Sequence, residues 1–177
     1  SWYRRQRQMC IRDRCDPEFQ VGMPYLAIPD NVNGTVYTDY EGNATGLVGG
    51  QRTLTVDGRY FDVNYASGTP YSQSVNIESG VPFNIALNPT DESGKAAMNA
   101  YIESNVVRDF TLARNPSYPT IGNQFNWDIN IGVSGSCNAF YNGSSINFYN
   151  AGGGCNNTAF SVIVHHEYGH HLSLIHI

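Results

Sequence analysis

The sequence predicts an α+β protein, and three observations carry that expectation. Short runs of β-branched and aromatic residues, two of them alternating apolar with polar, fill positions 34 to 87, an apolar residue recurs every fourth position from Met98 to Phe110, and a second apolar stretch ends in His166-Glu167-Tyr168-Gly169-His170. A period of two marks half-buried strands, and a period near 3.6 marks a helix with one face in a core. The expected order is a β-rich N-terminal module over 15–90, then a part over 91–172 in which helices and strands mix.

The strands come first. TVYTDY (35–40), RTLTV (52–56), RYFDVNY (59–65), QSVNI (73–77) and PFNIAL (82–87) are rich in β-branched and aromatic residues. Glycine-containing turns separate them, and Asp57-Gly58 has the composition of a two-residue hairpin between antiparallel strands. After Pro89 the period changes. Asp91, Glu92 and Ser93 supply N-terminal helix chemistry, and Met98, Ile102, Val106 and Phe110, flanked by Tyr101 and Ala113, predict an amphipathic helix over 95–113 packed on a core. Two strand-like runs follow, WDINIGV (127–133) and AFYNGSSINFY (139–149). Thr158 is then in place to cap a helix whose apolar first half should be buried.

Composition narrows the function. The chain has 177 residues, 41% hydrophobic and 14% charged, which suits an ordered domain with a sizeable core. Nothing approaches the run of about 18 apolar residues that a membrane span requires, so no membrane partner is expected. Five of the ten basic residues lie in positions 1–14. The remainder holds 5 basic and 14 acidic side chains, a balance that argues against a phosphate-binding face and so against nucleic acid. The basic segment 1–14 and the terminal segment 173–177 both resemble translated sequencing-adapter DNA and are expected to be non-native tails. Low lysine content with polar, glycine-rich loops favours a secreted protein. There Cys137 and Cys155 would form a disulfide, closing a loop whose constraint contributes roughly 3 kcal/mol.

His166 and His170 share a helical face, so both can bind one ion, with Glu167 beside it as a base. Zinc takes neutral imidazole readily. A catalytic site needs three protein ligands and an open position for water, whose pKa the metal lowers toward about 7. Burying two histidines in an apolar helix without partners would be costly, which strengthens the metal reading. His165 and His171 are expected to face solvent or to support the ligands from behind. Gly169 costs about 1 kcal/mol in a helix relative to alanine, which suggests a close neighbour.

Two continuations compete for the third ligand. His166, Glu167, His170 and His176 match the metzincin pattern except that Ser173 stands where that pattern has glycine. The stretch CNAFYNGSSINFYNAGGG (137–154) ahead of the His-Glu-x-x-His helix resembles instead the thermolysin-like metallopeptidases, over roughly residues 95 to 172. The resemblance implies a partial upper catalytic lobe, with zinc held by His166 and His170 and Glu167 as the general base. It also implies an edge strand in which Asn138, Ala139, Phe140 and Tyr141 bind an extended peptide or protein substrate, Tyr141 standing where thermolysin has tryptophan. The third ligand would be a glutamate on a later helix, and no acid follows Glu167 here. The expected function is thus a fragment of a secreted zinc endopeptidase, inactive as it stands. The alternatives are a complete metzincin-like protease using His176 and a non-enzymatic extracellular β-sandwich binding module.

Overall fold

The computed structural model describes residues 4–5, 19–82 and 84–173. Its strands are β1 (Arg4–Arg5), β2 (Phe19–Gln20), β3 (Ala27–Asp30), β4 (Gly34–Tyr37), β5 (Gly50–Thr55), β6 (Phe61–Tyr65), β7 (Ser72–Ile77), β8 (Trp127–Val133), β9 (Ala139–Tyr141) and β10 (Ser145–Tyr149). The helices are α1 (Glu92–Arg114) and α2 (Ser161–Ser173). The protein is a mixed α+β fold.

Strands β1–β2, β3–β4 and β5–β7 form three antiparallel pairs, and β6-β8-β10-β9 form one four-stranded sheet. Within that sheet β6, β8 and β10 run parallel, and β9 is antiparallel to β10. The larger sheet crosses the division expected near residue 90, because β6 precedes it and the other three strands follow it.

The turn between β3 and β4 is organised by one buried carboxylate. Asp30 Oδ1 accepts the backbone N–H groups of Val32 (3.0 Å) and Asn33 (2.9 Å), while Oδ2 accepts that of Val48 (2.9 Å) and faces Arg52 Nη2 at 3.3 Å. These bonds, Asn33 first, hold its pKa well below the usual carboxylate range. Arg52 is buried too, and it also donates to the Val48 and Gln51 carbonyls.

Asp57-Gly58 is not a hairpin. At this point the chain leaves β5 for the other sheet, with Asp57 Oδ1 accepting the Val63 N–H at 2.8 Å. Gly58 is needed for space rather than for turn geometry, since a β-carbon there would overlap the Tyr101 hydroxyl and the Tyr25 carbonyl. RYFDVNY is therefore a strand as predicted, but its partner is the parallel β8, with Phe61 opposite Trp127 and Tyr65 opposite Ile131. PFNIAL forms no strand at residues 82 and 84–87; its buried Leu87 joins the core from a loop. Phe83 lies outside the described residues.

Helix α1 spans the predicted 95–113 and adds a turn at its start. Asp91 caps it, accepting the Gly94 N–H at 2.8 Å and the Ser93 hydroxyl at 2.6 Å. The small residues Gly94, Ala96, Ala97 and Ala100 let β6, β8 and α2 close around its first half, and residues 96–105 are buried without exception. Of the predicted stripe, Met98, Tyr101 and Ile102 are buried and Val106 is half-buried. Phe110 is 58% exposed at the helix end, where the Arg114 guanidinium lies 3.5 Å from its ring centre. Phe61, Tyr101, Ile129, Ile131, Ile146, Phe148, Val164 and Tyr168 are fully enclosed between the sheet and the helices. Each such aliphatic or aromatic side chain contributes about 1.5–3 kcal/mol through burial.

Candidate metal centre

Strand β9 supplies one side of the candidate site. It is an edge of the sheet, paired only with β10, with Phe140 opposite Asn147 and Tyr141 opposite Ile146. Asn142 makes the return tight by accepting the N–H groups of Ser144 and Ser145 on Oδ1, at 3.0 and 2.8 Å. Of the four residues expected on an edge strand, Ala139, Phe140 and Tyr141 are in β9, and Asn138 is exposed just before it. Ala139 is buried, Phe140 packs edge-on to Tyr149 (5.8 Å), and the Tyr141 hydroxyl lies 3.2 Å from His171 Nδ1. Cys137 and Cys155 are joined by a disulfide, which ties the entry to β9 to the loop leading into α2.

The helix that carries the histidines starts at Ser161. Thr158 does not cap it, because its hydroxyl is engaged with Tyr149, accepting the N–H at 2.8 Å and facing the carbonyl at 3.3 Å. The Phe160 carbonyl begins the helix by accepting the N–H groups of Ile163 and Val164, both at 2.9 Å. The apolar first half is split between faces: Val164 is fully buried, Ile163 is half-buried and Val162 is 73% exposed. Val164, Glu167, Tyr168 and His171 form the buried face of α2.

His166 and His170 are exposed rather than buried as their apolar helix led us to expect, so a burial cost does not argue for a metal. On that exposed face their Nε2 atoms come to 3.0 Å, with ring centres 4.6 Å apart and the rings nearly perpendicular. Two nitrogens sharing a tetrahedral zinc at bonds of about 2.0–2.1 Å would be roughly 3.3 Å apart, so the pair needs only a few tenths of an ångström to chelate. Glu167 is 6% exposed, and none of the hydrogen bonds among the described residues ends on its carboxylate. Two convergent imidazoles fit a zinc ion in donor type and spacing. Among the described residues no group of three histidine, cysteine, aspartate or glutamate side chains gathers to complete the set.

The other two histidines each bond to the protein. His165 Nε2 donates to Glu103 Oε2 at 2.8 Å, and Ser161 Oγ donates to Glu103 Oε1 at 2.9 Å, so both oxygens of a buried carboxylate on α1 engage α2. His165 remains partly exposed, as expected of it; His171 does not. Its ring is stacked on Trp127 at 4.4 Å, with Nε2 2.9 Å from Gln124 Oε1, and its burial lowers the imidazole pKa below the usual value. Asn99, donating to the Ala159 carbonyl at 2.8 Å, and Tyr118, donating to that of Leu172 at 2.9 Å, hold the two ends of α2.

Three of these anchors, Glu103, Gln124 and Tyr118, carry no motif and were not singled out in the sequence. The available signal for Glu103 was an acid directly after Tyr101-Ile102 in the apolar half of the helix. Gly169 departs from expectation as well: a β-carbon there would meet nothing within 4 Å among the described residues. Ser173 is still helical, its hydroxyl donating to the His170 carbonyl at 3.1 Å, so the chain makes no sharp turn at the position where metzincins have glycine. His176, Cys10, Cys15 and nearly all of the two segments read as non-native lie outside the described residues.

No family model matches the chain, and no curated protein matches it. No helix among the described residues is long and apolar enough to cross a membrane.

Proposed function

We propose that the chain carries the histidine pair and the base of a secreted, thermolysin-like zinc endopeptidase. The observation that carries this reading is the 3.0 Å convergence of His166 and His170 on the open face of α2, with Glu167 directly after the first of them in the sequence. Zinc held by the two Nε2 atoms would supply Lewis acidity, drawing the pKa of water toward about 7. Glu167 is the base: its carboxylate takes the proton of the attacking water and delivers it to the leaving amine nitrogen. Strand β9, an edge linked to α2 through Tyr141 and His171, offers its backbone to an extended peptide. The Cys137–Cys155 disulfide supports an oxidising compartment. The third ligand comes from outside the described residues.

Zinc titration of the purified chain, followed by the NMR signals of the histidine rings, tests this reading. His166 and His170 should shift together, both shifts should vanish in His166→Ala, and casein should stay intact. Rings that stay unmoved at saturating zinc would sink the proposal. Chelator-sensitive casein cleavage, lost in Glu167→Gln, would instead place a complete ligand set within the chain and make His176 its third member.

A further inference from the structure

We infer that His171 is a positioning residue for the peptide-binding edge: its bond to the Tyr141 hydroxyl fixes strand β9 against the helix that carries the zinc ligands. The inference rests on the reading of β9 as the substrate strand and adds the residue that holds that strand in place.

The hydrogen-bond phase of the β9–β10 hairpin determines what Tyr141 offers. Asn142 donates its backbone N–H to the Ser145 carbonyl at 3.2 Å, which makes that pair a bonded one. Bonded and non-bonded pairs alternate along an antiparallel ladder, so Phe140 bonds with Asn147, while Tyr141, opposite Ile146, and Ala139, opposite Phe148, do not bond. The backbone N–H and C=O groups of Ala139 and Tyr141 therefore point away from β10, to the side on which an added strand would lie. Tyr141 turns its backbone to the peptide and its side chain to α2.

That side chain has a firm support. Its hydroxyl lies between the Gly143 carbonyl, at 2.9 Å, and His171 Nδ1, at 3.2 Å, so it ties the hairpin turn to α2. His171 is itself held from behind. The ring is buried, stacked on Trp127 at 4.4 Å, and its Nε2 is 2.9 Å from Gln124 Oε1. Trp127 opens β8 at the middle of the sheet, so the imidazole is anchored to the interior and not to the edge that it steadies. Packing alone asks for no nitrogen at position 171, because a phenyl ring would fill the same space. His171 also directly follows His170, which sets the free backbone of β9 at a fixed distance from a proposed zinc ligand. A strand of three residues has few ladder bonds of its own, and a side-chain anchor then decides where its outer edge lies.

Titration of the full chain with the capped peptide acetyl-pentaalanine amide, followed by backbone amide NMR, tests the inference. In the native chain the Ala139 and Tyr141 amides should move together. His171→Phe keeps the stack on Trp127 without the nitrogens, and Tyr141→Phe lacks only the hydroxyl. Each should weaken peptide binding about fivefold, the effect of one hydrogen bond. The double variant should bind no more weakly than either single one, because both remove the same bond. The His171 ring nitrogen signals should also shift in Tyr141→Phe, a response that packing alone would not give. Losses that add in the double variant, or native binding in Tyr141→Phe, would overturn the positioning role and leave the edge-strand and zinc readings standing; the Tyr141→Phe result decides even if His171→Phe fails to fold. Native amides that ignore the peptide, in a chain whose His166 and His170 rings still respond to zinc, would remove the substrate strand and this inference with it but leave the ligand pair in place.

Discussion

The two helices differ in what surrounds them. α1 has thirteen buried residues in its 23, a side-chain cap, and an acid in its first turn. α2 has four buried residues in its 13, neither of those features, and two histidines turned to solvent. The longer helix is the structural centre of the larger sheet's inner face. The shorter one is held against it by a few polar bonds and two large side chains, so its outer face is free to vary. The fold resides in α1, and the proposed chemistry lies on α2.

That contrast can be broken by substitution. The largest effect should come from Tyr168→Ala, which empties a fully buried aromatic site packed on Phe61 and Trp127 at 5.5 Å from each ring centre. Urea unfolding should show a loss of about 3–5 kcal/mol. Val162→Ala, six positions earlier on the open face, should stay within about 0.5 kcal/mol. Comparable losses for the two would mean that α2 is not two-faced.

Asp91→Ala tests whether α1 depends on its cap and should cost about 1 kcal/mol near neutral pH. The Ser93 hydroxyl, then the Gly94 N–H, hold the Asp91 carboxyl below its ordinary pKa. A lowered folded-state pKa means stability that is present above the unfolded value and is lost as pH falls through the folded one. The urea midpoints of the two proteins should therefore converge as pH drops below the usual aspartate range. A difference that persists there would assign the effect to something other than the carboxylate.

The smallest effect sharpens the picture of α2. Gly169→Ala should raise monomer stability by about 0.5–1 kcal/mol in metal-free urea titrations, because alanine restricts the unfolded chain and fits the open space. Destabilisation would reveal a neighbour at Gly169.

Local patterns were legible and pairings across the chain were not. The four-residue apolar period located α1 to within three residues at its start, alternation located β5 and β6, and composition located β7. Nothing local distinguishes a parallel strand from an antiparallel one, so Phe61–Tyr65 was assigned the wrong kind of partner, and Asp57-Gly58 was read as a hairpin when its glycine accommodates Tyr101. PFNIAL has strand composition, yet its loop satisfies the core through Leu87 alone. At the candidate site, the facing of His166 and His170 followed from helix periodicity. The inward turn of His171 depends on Trp127 and Gln124, more than forty positions earlier, and the Thr158 hydroxyl was drawn away by Tyr149. Asymmetric burial of adjacent histidines is decided by neighbours that only folding supplies.

The parallel pairing of β6 with β8 also sets the order of assembly. β7 and α1 are both made between those two strands, so a nascent chain holding β6 cannot satisfy that strand's backbone until the whole crossover has been synthesised and its ends have met. Loop closure of this length comes before any reward from the central sheet, which puts refolding among the slower mixed topologies. Until then Phe61 and Val63 stay uncovered, and that stretch is where a partly folded chain would first stick to another.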